Sequence, residues 1–382
     1  MVNKARLIKL TRQLIKLESE NPPGNEYKIA VFVSRYLKRL GLKVKTYEFA
    51  KRRPNVVGIL KGKKPQRSLL LSPHLDTVPA GRGWKYHPYK AEICKNKIYG
   101  RGATDCKGNL AVGIEAINSL VEDNLRLNSD IIIAATVDEE TGNEFGLIPL
   151  LKKNILQPSA AVILDSDNAD IIVAQKGLIH FKIIIFGKKA HGAYPERGIN
   201  AIEIASKVIQ KLKRYKFRYK KHSLLKPPTI NIGKICGGDK VNMVADWCEV
   251  KVDLRFLPGM KPRKILKQIG KVVKSEAKKF KIEIEAMQRP SEVERDNYLV
   301  NCLLKANRRL SNKAKIKGSE GATVMSFFQE RNIPSFATGF GSKGCCHATN
   351  EYVKINDLHK GAKVIEGFIK QFDSYQTRNA RL

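Results

Sequence analysis

The sequence is poor in acidic residues and cysteine pairs, and it has no long apolar runs. Asp and Glu number 36 against 71 Lys and Arg, a formal charge of +35 over 382 residues. No apolar run approaches the ~18 residues a membrane helix needs, so no membrane partner is expected. The opening Met1-Val2-Asn3-Lys4-Ala5-Arg6 is charged, and no long apolar stretch follows it. A secretory leader is therefore not expected. Cysteines number seven, scattered, without a CxxC pair. That pattern argues against a disulfide framework or a structural zinc site, and for a reducing cytoplasm. Internal repeats and low-complexity linkers are not seen. Hydrophobic residues make up 42%, ample for a core, which excludes wholesale disorder. At ~150 residues per domain the length suits two or three domains.

The positive charge raises the question of nucleic acid. Basic residues are spread along the chain, with a local cluster at 211–221 (KLKRYKFRYKK) that interleaves aromatics. An RNA-binding face is one reading. A solvated helix or loop is favoured, since charge runs are usually solvated and no zinc-finger, RRM or KH signature accompanies the cluster. An acidic substrate or partner would also profit from long-range steering by this field.

Apolar spacing predicts helices over 4–18 and 26–40, separated by the breakers Asn21-Pro22-Pro23-Gly24, with Gly41 ending the second. Short apolar runs at 56–60, 68–72, 131–137 and 161–164 read as buried strands, with a helix at 109–121 among them. Such alternation indicates an α/β domain whose sheet contains parallel strands and is covered on both faces. The pattern changes after Gln175-Lys176-Gly177. Residues 179–186 alternate like a half-exposed strand, followed by a helix at 200–212, strands near 229–235 and 249–256, and a helix at 262–280. From about residue 295 the first pattern resumes. The expected organisation is one α/β domain made of 1–177 and 295–382, interrupted by a smaller α+β domain at 178–294.

Three apolar strands run into acids or histidine. They lead to His74-Leu75-Asp76, to Asp138-Glu139-Glu140 and to Asp165. Ligands of open α/β sheets sit beyond the carboxyl ends of strands. Carboxylates gathered there repel one another unless a cation sits among them. Imidazole and carboxylate without thiolate suit zinc or a similar first-row metal. Asp76, two positions from His74, is placed to accept the second ring N–H of that histidine. Gly102-Ala103-Thr104-Asp105-Cys106-Lys107-Gly108 puts an acid in a glycine-bounded loop before a helix. Glu139 and Glu140 can divide the roles of ligand and base. His347, after the apolar run 333–337, supplies a further imidazole.

Several ordered motifs carry a resemblance. They are Ser19-Glu20-Asn21-Pro22-Pro23-Gly24-Asn25-Glu26, Ser72-Pro73-His74-Leu75-Asp76-Thr77-Val78-Pro79 and Gly100-Arg101-Gly102-Ala103-Thr104-Asp105-Cys106-Lys107-Gly108. Asp138-Glu139-Glu140-Thr141-Gly142, Ala190-His191-Gly192-Ala193-Tyr194-Pro195, and His347 with Asn350-Glu351 complete the set. Over essentially its whole length the chain resembles the zinc-dependent amidohydrolases and exopeptidases that include acetylornithine deacetylase, succinyl-diaminopimelate desuccinylase, aminoacylase-1 and carboxypeptidase G.

The resemblance implies a catalytic α/β domain with a mixed, largely parallel sheet, and a smaller lid and dimerisation domain. It implies two divalent metal ions, zinc first, with cobalt or manganese tolerated by the same donors. Asp105 would bridge them, His74 and Asp165 would complete one ligand set, and Glu140 and His347 the other. Asp167 is a weaker candidate than Asp165. Glu139 would be the general base, Asp76 would support His74, and the Asp105–Cys106 peptide would be cis. His191 would reach the partner subunit's active site in a homodimer and stabilise an oxyanion. Asn242 and Arg255 would contact the substrate, unless Arg255 pairs with Asp253 or Glu249. The implied substrate is a small N-acyl amino acid or a short peptide, with nucleic acid not expected. The second reading, prompted by the charge, is a non-catalytic or nucleic-acid-associated basic protein on the same fold. Gly321-Ala322-Thr323-Val324 lacks the acid that many deacetylases carry there, and Ala245 stands where proline is usual. Those departures leave the metal chemistry untouched and the acyl group and amino acid unassigned. Cys106, Cys345 and Cys346, beside the ligands, read as small packing residues.

Overall fold

The computed structural model describes residues 1–64 and 67–378. The chain forms two compact units. One is Met1–Val173, Val293–Lys317 and Thr323–Leu382; the other is Ala174–Glu292 and Gly318–Ala322. The second unit thus begins and ends a few residues before the expected 178–294 and gains a short distant segment. That segment is held by Lys176, whose Nζ pairs with Glu320 at 2.5 Å and donates to the Pro227 carbonyl at 2.6 Å.

The larger unit is built on a sheet in the order Lys43–Glu48, Pro54–Leu60, Asp130–Ala135, Ser68–Ser72, Ala160–Leu164, Ser335–Thr338, Ile171–Gln175. The middle four of these strands are parallel, with Leu71 opposite Ile133, Ser72 opposite Ile163 and Thr338 opposite Leu164. The flanking pairs are antiparallel. Every residue of Ser68–Ser72, Asp130–Ala135 and Ala160–Leu164 is buried. This explains why these strands read as continuous apolar runs and not as alternation. Helices Lys4–Ile15, Lys107–Glu122, Tyr298–Arg309 and Ile355–Arg378 pack on one another, and Tyr27–Arg39 packs on Pro54–Leu60. A small antiparallel sheet of Ile93–Cys94, Lys97–Tyr99 and Tyr352–Lys354 stands apart from the main one.

The smaller unit is an antiparallel sheet ordered Thr229–Gly237, Trp247–Phe256, Gly177–Phe186, Phe280–Gln288. Its two central strands alternate buried and half-buried residues. Ile179, Phe181, Ile183 and Ile185 face one core with Val250, Val252 and Leu254. Helices Ala201–Arg214 and Pro262–Lys274 close that core with Ala205, Val208, Ile265 and Ile269. Each of the larger side chains among them contributes roughly 1.5–3 kcal/mol on burial. Asn200 caps the first helix, its Oδ1 accepting from Ile202 N at 3.0 Å.

Two expectations need correction. The helix read over 262–280 stops at Lys274, and Phe280 opens a strand instead. No Pro or Gly lies between 271 and 288 to mark the change. Pairing with the central strand, Phe280 opposite Ile185 and Ile284 opposite Phe181, decides it. The edge strand Lys43–Glu48 and the small sheet were also not read. Their residues are largely exposed or half-buried and show no clean apolar period.

Candidate metal centre

Parallel register brings the carboxyl ends of four strands to one rim. Ser68–Ser72 leads to His74 and Asp76, Asp130–Ala135 to Asp138, Glu139 and Glu140, Ala160–Leu164 to Asp165, and Ser335–Thr338 to the turn that ends in His347. Asp105 arrives from the loop before the helix Lys107–Glu122. That loop is tight. Gly102 has φ +82°, and a Cβ on Gly108 would lie 2.2 Å from the Ala103 carbonyl oxygen. The Asp105–Cys106 peptide is cis.

Two three-donor groups form around one shared carboxylate. The ligand atoms of His74, Asp105 and Asp165 lie within 4.8 Å of one another, as do those of Asp105, Glu140 and His347. Asp105 divides its oxygens between them: Oδ1 is 3.0 Å from His74 Nε2, and Oδ2 is 3.3 Å from His347 Nε2. His74 Nε2 is 3.8 Å from Asp165 Oδ1, and His347 Nε2 is 3.1 Å from Glu140 Oε2. The Nδ1 of His74 is 3.0 Å from the carbonyl oxygen of Asp76. A carbonyl only accepts, so Nδ1 carries the proton and Nε2 faces the carboxylates.

The donors fit a pair of divalent cations. Three carboxylates and two imidazoles without thiolate match a first-row metal. Glu140 Oε1 is buried with no hydrogen-bond partner among the described residues. An orphaned buried carboxylate oxygen is costly unless a cation takes it.

The electrostatics point the same way. Burial pushes the pKa of Glu139 well up, and the charge of Asp165 adds to it. Burial and the charge of Asp105 likewise raise Asp165. Burial raises Glu140, with Asp105 adding to it and the hydrogen bond from His347 opposing. Burial also works to raise Asp105, but hydrogen bonds from His347 and His74 hold it well below the usual carboxylate range. His347, bonded to Asp105 and Glu140, is raised to about 10. Burial opposes a charge on His74, yet Cys106 and the carboxylates of Asp105, Asp165 and Asp76 overcome it and raise the ring. Glu139, Glu140 and Asp165 driven toward protonation, and histidines driven to charge, are what an unscreened anionic cluster produces.

Asp76 stands beside His74 and also holds the next strand end. Its carboxylate is buried and accepts the backbone N–H of Glu139 on Oδ1 and of Glu140 on Oδ2, each at 3.1 Å. The nearer partner of His74 is therefore the Asp76 carbonyl, with Oδ1 at 3.4 Å. Asn21, read in the sequence as part of a breaker and of a quoted motif but given no role, donates from Nδ2 to Asp76 Oδ2 at 2.9 Å and to Thr141 Oγ1 at 2.8 Å. Asp138, with φ +66°, accepts from Phe145 N and faces Arg53 at 3.2 Å. An Asn followed by two prolines inside a quoted motif was the available signal for Asn21. For Glu351, the signal was an acid four residues after His347 in the quoted motif. Asp167 is not in either donor group; its Oδ2 accepts from Gly344 N at 2.9 Å. Cys106 is buried, its thiol pushed up to about 12 by burial, and its Sγ accepts from His74 N at 3.1 Å. Neither donor group includes a cysteine.

Three candidates lie in the smaller unit. His191 is exposed, and its Nδ1 accepts from Ala193 N at 3.0 Å. Asn242 is exposed beside it, its carbonyl accepting from Gly192 N at 2.8 Å. Arg255 is half-buried and forks onto Asp253, with Nε to Oδ1 at 2.8 Å and Nη2 to Oδ2 at 3.0 Å. The basic run 211–221 begins in the last turn of Ala201–Arg214 and continues as irregular chain. All seven of its Lys and Arg residues are exposed, while Phe217 is buried in the core. No helix among the described residues is long and apolar enough to cross a membrane.

Comparison with known proteins covers most of the chain. Residues 70–371 match the family described as Peptidase family M20/M25/M40. A metallohydrolase of Methanocaldococcus jannaschii, itself uncharacterised, is 28% identical, covering 95% of this chain and 98% of its own. A succinyl-diaminopimelate desuccinylase of Orientia tsutsugamushi is 26% identical over 95% of each chain. Among solved structures, the aminopeptidase PepT of Bacillus cereus superposes with a TM-score of 0.82 at 25% identity, covering 97% of this chain and 99% of its own.

Proposed function

This chain belongs to peptidase family M20/M25/M40 and is a hydrolase of amide or peptide bonds, and from that premise we propose a dinuclear metal enzyme that cleaves an amide next to a free carboxylate. The observation that carries the proposal is the sharing of Asp105 between two three-donor groups. His74, Asp105 and Asp165 would hold one ion, and Asp105, Glu140 and His347 the other. When bound, two divalent ions, zinc by preference of these donors, supply Lewis acidity and an acidified water. Glu139 is the general base. Its carboxylate is not in either donor group, and burial beside Asp165 raises its pKa, the direction a group that must carry a proton needs. It takes a proton from the attacking water and delivers it to the leaving nitrogen. Asp76 holds both Glu139 and Glu140 by their backbone N–H groups and so fixes base and ligand relative to each other.

The relatives support a substrate that is an N-acyl amino acid, such as a succinylated or acetylated diamino acid, or a short peptide. Arg255, once released from Asp253, has the fork geometry to grip a substrate carboxylate, with Asn242 as a further contact. The smaller unit serves as lid and as the joint of a homodimer, in which His191 stabilises the oxyanion in the partner's site. With all seven cysteines free, a reducing cytoplasm suits the protein. The two donor groups that share Asp105 speak against the alternative of a non-catalytic, nucleic-acid-associated protein.

Glu139→Gln tests the central assignment. Turnover of the best substrate in a panel of N-acyl amino acids and di- and tripeptides should fall roughly 10²–10⁴-fold, with metal content retained. Loss of metal from this variant would mean that Glu139 is a ligand and not the base.

A further inference from the structure

Glu351 has no part in either donor group, yet it is 1% exposed and its carboxylate accepts four hydrogen bonds. Oε2 takes Arg101 Nη1 at 2.7 Å and Gly102 N at 3.1 Å. Oε1 takes Thr104 N at 2.8 Å and Asp105 N at 3.0 Å. Three of the four donors are backbone groups of the loop that carries the shared carboxylate, and one of them belongs to Asp105 itself. The fourth, Arg101, reaches back toward the turn that carries His347. Its Nη1 donates to the Ala348 carbonyl at 3.2 Å, and its Nη2 lies 3.5 Å from the His347 carbonyl. The same junction is tied at Thr104, whose Oγ1 donates to the Tyr352 carbonyl at 2.7 Å and accepts from Ser342 N at 3.0 Å.

A carboxylate buried this close to Asp105 adds like charge to a site already rich in it. Hydrogen bonds must offset part of that repulsion and of the desolvation, and four donors, one of them a guanidinium, do so. The return is geometric. Asp105 and His347 are 242 positions apart in the chain (347 − 105), and Glu351 with Arg101 is a direct polar link between their loops.

We propose that Glu351 is a positioning residue that sets the affinity of the metal pair by fixing the Asp105 loop and, through Arg101, the His347 turn. The inference rests on the two-metal reading above. Because Glu351 holds the loop of the shared ligand, its loss weakens both metals together. Arg101 holds the His347 side, so its conservative replacement weakens chiefly the metal bound by Asp105, Glu140 and His347.

The experiment is a Zn2+ titration of the chelator-stripped full-length protein against a chromophoric competitor, for wild type, Glu351→Gln and Arg101→Lys. Glutamine keeps the shape but turns an N–H₂ toward two of the four donors. Wild type should bind two equivalents. E351Q should bind both with dissociation constants weakened by roughly 10–100-fold, the usual cost of losing a partner of a metal ligand. R101K should weaken one equivalent by a similar factor and spare the other. Excess Zn2+ should restore most of the turnover of each variant, which a misfolded chain would not show. If E351Q does not fold, as read by circular dichroism of the metal-free protein, R101K carries the test alone. Wild-type dissociation constants in every folded variant would overturn the proposal. A wild type that binds fewer than two equivalents would instead overturn the two-metal reading on which it stands.

Discussion

In the larger unit each candidate residue leans on another. Asp105 is held by Glu351, Glu139 and Glu140 by Asp76, and Asp76 by Asn21, all through hydrogen bonds between buried or half-buried groups. In the smaller unit the candidates are exposed or already paired: His191 and Asn242 face solvent, and Arg255 is bound to Asp253. The first arrangement is preorganised, so its geometry exists before any ligand arrives. The second supplies groups whose use depends on something arriving from outside the unit, a substrate or a second subunit. On the proposed reading, chemistry that must be exact to a fraction of an ångström sits at strand ends, and recognition sits on an exposed surface.

Breaking the preorganised side should have the largest effect. Asp105→Ala removes the shared ligand and leaves two cations without the carboxylate that neutralises both. Elemental analysis of the purified variant should find neither metal at stoichiometric occupancy, and turnover should fall to background. Two metals per chain in that variant would rule out the bridging role.

The adaptable side is sharpened by subunit mixing. His191→Ala should lose 10²–10³-fold in turnover, the cost of one oxyanion donor, with metal content unchanged. Mixed with Glu139→Gln subunits, it should regain partial activity, since one site of each mixed dimer then has both groups. No recovery after verified exchange would remove donation between subunits, and a monomer on sedimentation would remove the dimer.

The smallest effect is one of pH. In metal-free protein the hydrogen bonds to Asp105 and Glu140 raise His347 from 6.5 to about 10. A raised folded-state pKa adds stability that is complete below the unfolded value and lost as pH rises through the folded one. The half-exposed ring makes this contribution modest. The melting temperature of the chelated wild type should exceed that of His347→Asn most near pH 6, and the gap should close toward pH 10. A gap that widens with pH would contradict the ion-pair geometry.

Legibility in the sequence followed the same division. Strand ends that terminate in His74, Asp138-Glu139-Glu140 and Asp165 could be read because a buried parallel strand is a continuous apolar run and its end is abrupt. The insert could be read because Ile179, Phe181, Ile183 and Ile185 alternate with more exposed residues. The strand Phe280–Gln288 was missed because no breaker precedes it and its partner strand lies about a hundred residues earlier, a separation local patterning cannot sense. The support for Asp105 was missed for the same reason.

The sequence alone determined which residue types stand at the strand ends, which segments are apolar enough to be buried, and where the pattern changes from continuous to alternating. Those are properties of short windows, set by side-chain chemistry and a period of two or 3.6. Only the tertiary structure decided that Asp105 gives one oxygen to His74 and the other to His347, that the Asp76 carboxylate holds two backbone N–H groups, and that Glu351 closes on a loop some 246 positions away. Hydrogen bonds depend on distances of about 3 Å and on direction. Between segments so far apart in the chain, those are fixed by the register of the parallel strands and by nothing local.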